Sequence, residues 1–392
     1  MSYHLQREKL NDSRTATILF AIAAVASIIR QADILVPYQM LWYMNFAWSL
    51  PVIFLLWKDI KGFLDRRLWG FYAFTTFFAI YCIAMQTATG RTYLGKDLYN
   101  VVVSTGIMAT SFVYWKNYGN RRNIHFILQC LLLLTAASAL KLLITVIPEI
   151  DYSTYQGGYY QKNSVSFMFL SVITICWAEI HGSQRKERIW WYAAMAIIIA
   201  VIICLRSRAT YLGLAFVTTY AILTIKTDRL RIYAITCMAL GMSMIFFIPG
   251  LHDFFIDKLV MSARTLDNPD LFFSYRLGYI SNELELMDGL WWLGKGCVYL
   301  DCFPIAIAIQ YGAAGAMIVF ALLTYVGWTI HNAHPAKAAY LKEAAILLFW
   351  SFIIISIFEA HVPFGTGIKC FLLWISIGIL SAQRSVNPTK HK

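Results

Sequence analysis

Arg206-Ser207-Arg208 places two guanidiniums and a hydroxyl in a three-residue seam, between an apolar run that ends at Leu205 and another that begins at Ala209. Charge at a membrane boundary is costly, so the first reading of the seam is a functional anion site. The second run opens a helix here, and its free N–H groups and positive dipole end point at the same anion. Ser207 is placed to be its N-cap. The bland alternative is that both arginines snorkel to headgroup phosphate.

A second basic site lies in the segment Leu271–Met287, where Arg276, Tyr279, Ile280, Glu283 and Met287 recur at helical spacing on or near one face. Asn268-Pro269-Asp270 is a plausible start for that helix. Such a helix either closes over the outer mouth of a bundle, bringing Arg276 against the seam, or lies on the membrane surface with Arg276 among headgroups. Further along, Glu359, His361 and Lys369 surround Val362-Pro363-Phe364-Gly365. Glu359 follows an apolar run directly, a depth at which an ionisable group is a functional candidate. His361 reads as a base or as a hydrogen-bonded structural histidine. Asp301 reads as a general base or as a solvated loop carboxylate. Tyr160, Lys162 and Asn163 precede another apolar run, and Tyr152, Tyr155, Tyr159 and Tyr160 are placed to stack on sugar rings. Arg91, Lys96 and Asp97 also fall outside the runs, with no spacing that assigns them a role.

These residues must be positioned by a membrane bundle. Of the 392 residues, 59% are hydrophobic and 14% charged, which excludes a water-soluble globule. Apolar runs fall at about 15–29, 39–57, 68–86, 98–114, 124–147, 163–180, 190–205, 209–225, 234–248, 304–329, 343–358 and 366–381, each long enough to cross or nearly cross a bilayer. They lack the alternation of barrel strands. The expected architecture is an all-α polytopic membrane protein of about twelve transmembrane helices. The chain reads as a single membrane domain, 1–392, whose largest exterior connection is 249–303, too long to be a passive link.

Basic residues orient it. With the N-terminus inside, Arg7, Lys9 and Arg14, then Lys58, Lys61, Arg66 and Arg67, then Lys116, Arg121 and Arg122 all fall on the cytoplasmic side, as do clusters at 185–188, 226–231 and the C-terminus. The positive-inside rule therefore places both termini in the cytoplasm. The net charge of +12 reads as topology and contact with anionic lipid rather than nucleic-acid binding. The first apolar run follows a charged leader without a clear cleavage site and reads as an anchor. Six of the eight cysteines lie in apolar runs; Cys297 and Cys302 share the large loop and are the candidates for a disulfide there. No ligand set of the usual spacing points to a metal site or another cofactor.

The order of motifs resembles a family. A Ser-Arg seam between two spans is followed by a large exterior loop with an arginine, then Trp291-Trp292 and Gly294-Lys295-Gly296, then a span carrying Gln310-Tyr311-Gly312-Ala313-Ala314-Gly315. Upstream, Gly157-Gly158-Tyr159-Tyr160-Gln161-Lys162-Asn163-Ser164 opens a span. This is similar to the bacterial O-antigen ligase and Wzy-type polysaccharide polymerase superfamily, over roughly residues 150–325 at motif level. The resemblance implies a GT-C-like, metal-independent, inverting glycosyltransferase of the bacterial inner membrane. Its substrates would be undecaprenyl-pyrophosphate-linked oligosaccharides, with a chain-length regulator as a further partner. Arg206, Arg208 and Arg276, with Lys162, Asn163 and Tyr160, would bind the substrate.

One departure bears on the choice within the superfamily. Its ligases carry a His–Asn pair nine residues before a Glu, whereas the residue nine before Gln310 is Asp301, followed by Cys302. An aspartate there favours a polymerase, with Asp301 as base and Glu359 or His361 as the other catalytic candidates. The alternatives are a ligase that transfers the glycan to lipid A-core or another acceptor, and a flippase for lipid-linked oligosaccharide.

Overall fold

In hydrocarbon a chain must satisfy its backbone internally, so long apolar runs without interior proline become helices. The computed structural model of the protein describes residues 2–31, 40–152, 162–180, 185–225, 227–261, 275–334, 339–365 and 369–383. Every regular element among the described residues is helical. In chain order they are α1 (Ser2–Gln31), α2 (Leu41–Met44), α3 (Ser49–Phe63), α4 (Trp69–Thr89), α5 (Lys96–Tyr118), α6 (Arg121–Thr145), α7 (Lys162–Ile180) and α8 (Arg185–Cys204). Then come α9 (Arg208–Leu223), α10 (Asp228–Phe247), α11 (Pro249–His252), α12 (Arg276–Glu285), α13 (Phe303–His331), α14 (Ala339–Ser356) and α15 (Phe371–Gln383). A π-helical stretch, Asp253–Val260, continues α11.

Six stretches among the described residues are long and apolar enough to cross a bilayer: Leu10–Arg30, Arg66–Thr89, Arg121–Glu149, Lys162–Ile180, Glu187–Cys204 and Phe303–His331. Arg231–Phe247 and Pro249–Val260 qualify only as a pair bent by 99°. Each of the twelve expected runs falls for the most part on a helix, but not each helix is a full span by itself. The helix α9 has 16 residues and α15 has 13, against about 20 for a crossing. The helix α5 is long enough, yet it buries Asp97, Asn100, Ser104, Thr105, Thr110 and Ser111. Hydropathy summed along a chain does not distinguish a lipid-facing helix from one whose polar row is covered by protein.

That covering is the centre of the bundle. On α7 nearly every residue from Val165 to Ile180 is buried, and on α15 every residue from Phe371 to Ser381. The closest pairing is α15 against α5, where a Cβ at Gly378 would meet the Met108 carbonyl oxygen and, at 2.8 Å, the Ser111 Cβ. Backbones approach where side chains are smallest. At the end expected to face the cytoplasm, Asp65 accepts from Arg67 and from Lys116 Nζ at 3.0 Å, while Arg67 Nη1 donates to the Ala382 carbonyl at 2.7 Å. The hydrogen bonds from Arg67 hold the Asp65 carboxyl well below the usual range. This clamp ties the α3–α4 turn to the ends of α5 and α15.

At the opposite end, the two motifs of the large loop and α13 bind each other. Gly312 has φ 61° and ψ −174° and breaks the helical run of α13. The loop fills the break: Lys295 N donates to Ile309 O at 2.9 Å, Gly296 N to Gln310 O at 3.0 Å, Ala313 N to Trp291 O at 2.8 Å and Ala314 N to Trp292 O at 3.2 Å. Tyr81 and Tyr93 hydroxyls lock the junction, donating to Tyr311 O at 2.6 Å and Gly294 O at 2.8 Å. Irregular backbone at this depth is tolerated because protein satisfies it. A Cβ at Gly312 would sit 2.5 Å from Gly294 N and from the Trp292 carbonyl, in a backbone region open essentially to glycine alone. Gly312→Ala is therefore expected to cost about 2–5 kcal/mol from strain and overpacking. Thermal unfolding in detergent or nanodiscs checks this; an unfolding temperature equal to wild type would refute the docked-loop account.

Candidate functional site

The helix α8 ends at Cys204 and α9 starts at Arg208, and the seam between them separates the two arginines. Arg206 takes a left-handed backbone, φ 59°, and is buried. Its Nη1 donates to the Asp151 carbonyl at 3.1 Å, and its guanidinium lies 5.6 Å from the Tyr152 ring. It packs against the connection after α6. Arg208, the first residue of α9, instead lines a cavity of about 740 Å³. The turn at Arg206 thus gives the two arginines different surroundings, with Arg208 in the cavity wall and Arg206 against the connection after α6. Ser207 holds the N-cap position, but its hydroxyl donates to Asn163 Oδ1 at 3.0 Å and pairs with Thr210 Oγ1 at 2.8 Å. Asn163 and Lys162 open α7, so Asn163 braces the seam. Tyr160 lies outside the described residues.

The cavity runs between α9, α10 and the π-helical Asp253–Val260, walled by Leu212, Ala215, Met238, Ile245 and Leu259. It is apolar along its length and has two arginines in its wall, Arg208 and Arg276. The described loop helix begins at Arg276, directly after Tyr275 in a left-handed conformation, φ 61°, and the part of the expected helix from Leu271 to Ser274 lies outside the described residues. The proposed start at Asn268-Pro269-Asp270 lies outside the described residues.

Behind Arg276 the carboxylates gather. Arg276 Nη2 is 3.4 Å from Asp301 Oδ2, and Tyr299 also hydrogen-bonds Asp301. The Tyr299 ring is 6.3 Å from that of His361, and His361 Nδ1 is 2.5 Å from Asp97 Oδ1. Lys369 Nζ lies 3.9 Å from Glu359 Oε2. Burial raises the Glu359 carboxyl above its ordinary range; Lys369 opposes the shift, Asp301 adds to it, and Arg276 and His361 also oppose it. Burial likewise raises the Tyr299 phenol, and Asp301 adds to the shift. Three buried polar atoms here, Arg276 Nε, Glu359 Oε1 and His361 Nε2, have no partner among the described residues. Such a group of ionisable side chains, joined through Arg276 to the wall of an apolar cavity, is a binding or catalytic candidate.

No protein-family model matches this chain, and no curated protein matches it.

The geometry brings together Arg208, Arg276, Asp301, Glu359 and His361, and leaves Arg206 apart. Sequence reasoning missed two members. Asp97 sits in the first turn of α5, 264 residues from its partner His361, and Tyr299 lies in the loop. The available signal for Asp97 was an acidic residue at the very start of an apolar run. Cys297 and Cys302 are both free thiols. Cys297 N is bound to the Thr92 carbonyl at 2.7 Å, which holds it on the α4–α5 connection, while Cys302 is buried at the N-cap of α13. His252, Asp253 and Asp257 come within 4.8 Å of one another on an exposed stretch, as neighbours on one helix do.

Proposed function

We propose that the protein is a membrane glycosyltransferase of the polysaccharide-polymerase type. It transfers a growing glycan from undecaprenyl pyrophosphate to a lipid-linked repeat unit on the outer face of the bacterial inner membrane. In this reading all twelve helical runs traverse or line the bilayer in a GT-C-like arrangement, with both termini in the cytoplasm. The observation that carries it is the apolar cavity with Arg208 and Arg276 in its wall beside the acidic cluster. A polyprenyl chain needs the apolar wall, and its pyrophosphate needs the guanidiniums, which bind phosphate oxygens bidentately and stay charged. The N-terminus of α9 adds its dipole at Arg208.

Cleavage of the glycosyl–pyrophosphate bond develops negative charge on the leaving group. Arginines fixed there stabilise the transition state more than the ground state. Asp301, engaged by Arg276 and Tyr299, serves in this scheme to hold the Arg276 guanidinium in place.

The test is elongation by the purified protein in proteoliposomes supplied with polyprenyl-pyrophosphate-linked repeat units. A ladder of products supports the reading, and substrate returned unchanged refutes it. Asp301→Asn is expected to slow elongation by roughly tenfold, since it weakens one orienting pair. A loss of about 100-fold or more would make Asp301 the base.

A further inference from the structure

The acidic cluster holds one pair that the arginine site does not use. Asp97 and His361 are both buried, at 6% and 8% exposure, and they join the first turn of α5 to the turn after α14. A carboxylate can only accept, so the 2.5 Å contact requires the hydrogen on His361 Nδ1. In the neutral imidazole Nε2 then carries a bare lone pair, and this atom is buried and without a hydrogen-bond partner among the described residues. His361 is also held at φ 65°, a conformation that a non-glycine residue keeps only where its surroundings impose it. From His361 the ring of Tyr299 leads to Asp301 and so to Arg276.

We propose that Asp97 and His361 form the acid–base pair of the transfer reaction: His361 Nε2 takes the proton of the acceptor sugar hydroxyl, and Asp97 orients the imidazole. This rests on the glycosyltransferase reading above. In the step, the acceptor oxygen forms a bond to the anomeric carbon as the bond from that carbon to the pyrophosphate oxygen breaks. The electron pair leaves on the polyprenyl pyrophosphate, held by the arginines, and the proton ends on His361 as an imidazolium facing the Asp97 carboxylate. His361 is the catalytic residue and Asp97 its positioning residue. Asp301 is engaged by Arg276 and Tyr299, and the buried Glu359 is held toward its neutral form, which leaves the His361 lone pair as the acceptor.

The variants are Asp97→Asn, His361→Gly and the double variant, each in proteoliposomes with lipid-linked repeat units. Glycine accepts the left-handed backbone at His361 readily, so His361→Gly removes the imidazole without a backbone penalty. An asparagine amide at Asp97 can donate to Nδ1 and so move the ring hydrogen to Nε2. Each single variant is expected to slow elongation by on the order of 10²-fold or more. The double variant should be no slower than the slower single, as for residues acting as a unit. Added imidazole should restore part of the His361→Gly rate and none of the Asp97→Asn rate. Independently of turnover, ¹⁵N-histidine NMR of the protein in nanodiscs should show His361 with a bare Nε2 in wild type and a protonated Nε2 in Asp97→Asn. Wild-type elongation with undiminished rates in both single variants would overturn the pair while the polymerase reading stands. A wild-type protein that does not elongate at all would overturn both. A bare Nδ1 in wild type would overturn the pair on its own.

Discussion

Alanine at Arg208 or at Arg276 is expected to lower elongation by on the order of 10²–10³-fold, the loss that follows removal of one preorganised donor from a developing anion. Membrane insertion and thermal stability should stay close to wild type. At Arg276 the ion pair with Asp301 is partly exposed, with side chains 21% and 33% accessible. A pair of that kind contributes at most about 1 kcal/mol. Arg208 lines a cavity and is only partly buried. Lysine at either position should remain impaired, because an ammonium cannot reproduce the two parallel hydrogen bonds of a guanidinium to phosphate. Initial rates at saturating and limiting donor concentration separate the effects: loss of transition-state stabilisation lowers kcat, whereas loss of ground-state binding alone raises KM. Full-length polymer at wild-type rate from Arg208→Ala would remove the pyrophosphate site from the cavity. Arg206→Ala should behave differently. Arg206 donates to the Asp151 carbonyl and lies over the Tyr152 ring, so its loss should appear as lower stability of the seam rather than as a selective fall in kcat.

Cells that lack the protein are expected to contain no long polymer and to accumulate single repeat units on undecaprenyl pyrophosphate, or acceptor lipid capped with one repeat where a ligase is present. Synthesis, flipping and transfer of one unit still proceed in such cells, while head-to-tail growth stops. A ligase would give the opposite pattern, with long polymer left on the lipid carrier and the final acceptor bare. A flippase would leave repeat units facing the cytoplasm. Gel analysis of extracted glycolipids, with protease or phosphatase access to mark sidedness, distinguishes the three patterns. Long carrier-linked polymer in the deletion strain would replace the polymerase assignment with the ligase.

Local physics decides what short windows of sequence can specify. Apolar runs become helices wherever the backbone must satisfy itself; Pro304 stands in the first turn of α13, and Asn120 caps α6, its Oδ1 accepting from Asn123 N at 2.9 Å. The seam was legible for the same reason: two arginines between apolar runs cannot sit deep in hydrocarbon, so a helix start had to fall there, and α9 begins at Arg208. The helix that carries Arg276 was legible from its spacing, and Arg276–Glu285 is helical. The lengths of individual spans were not legible, because α5 carries a polar row that only α15 and its other neighbours cover.

Packing decided the rest. Which of two arginines two residues apart faces the cavity depended on a left-handed residue at Arg206. Whether Cys297 and Cys302 meet depended on where Thr92 holds the loop. The role of Trp291-Trp292 and Gly294-Lys295-Gly296 appeared only once Gly312 opened α13 and the loop filled the break. Asp97 and His361 stand 264 residues apart, and no periodicity spans such a distance. Helix formation follows from hydrogen bonds and transfer energies that each segment carries within itself; the meeting of α5 with the turn after α14 follows from side-chain packing among helices distant in the chain, and that packing exists only in the assembled bundle.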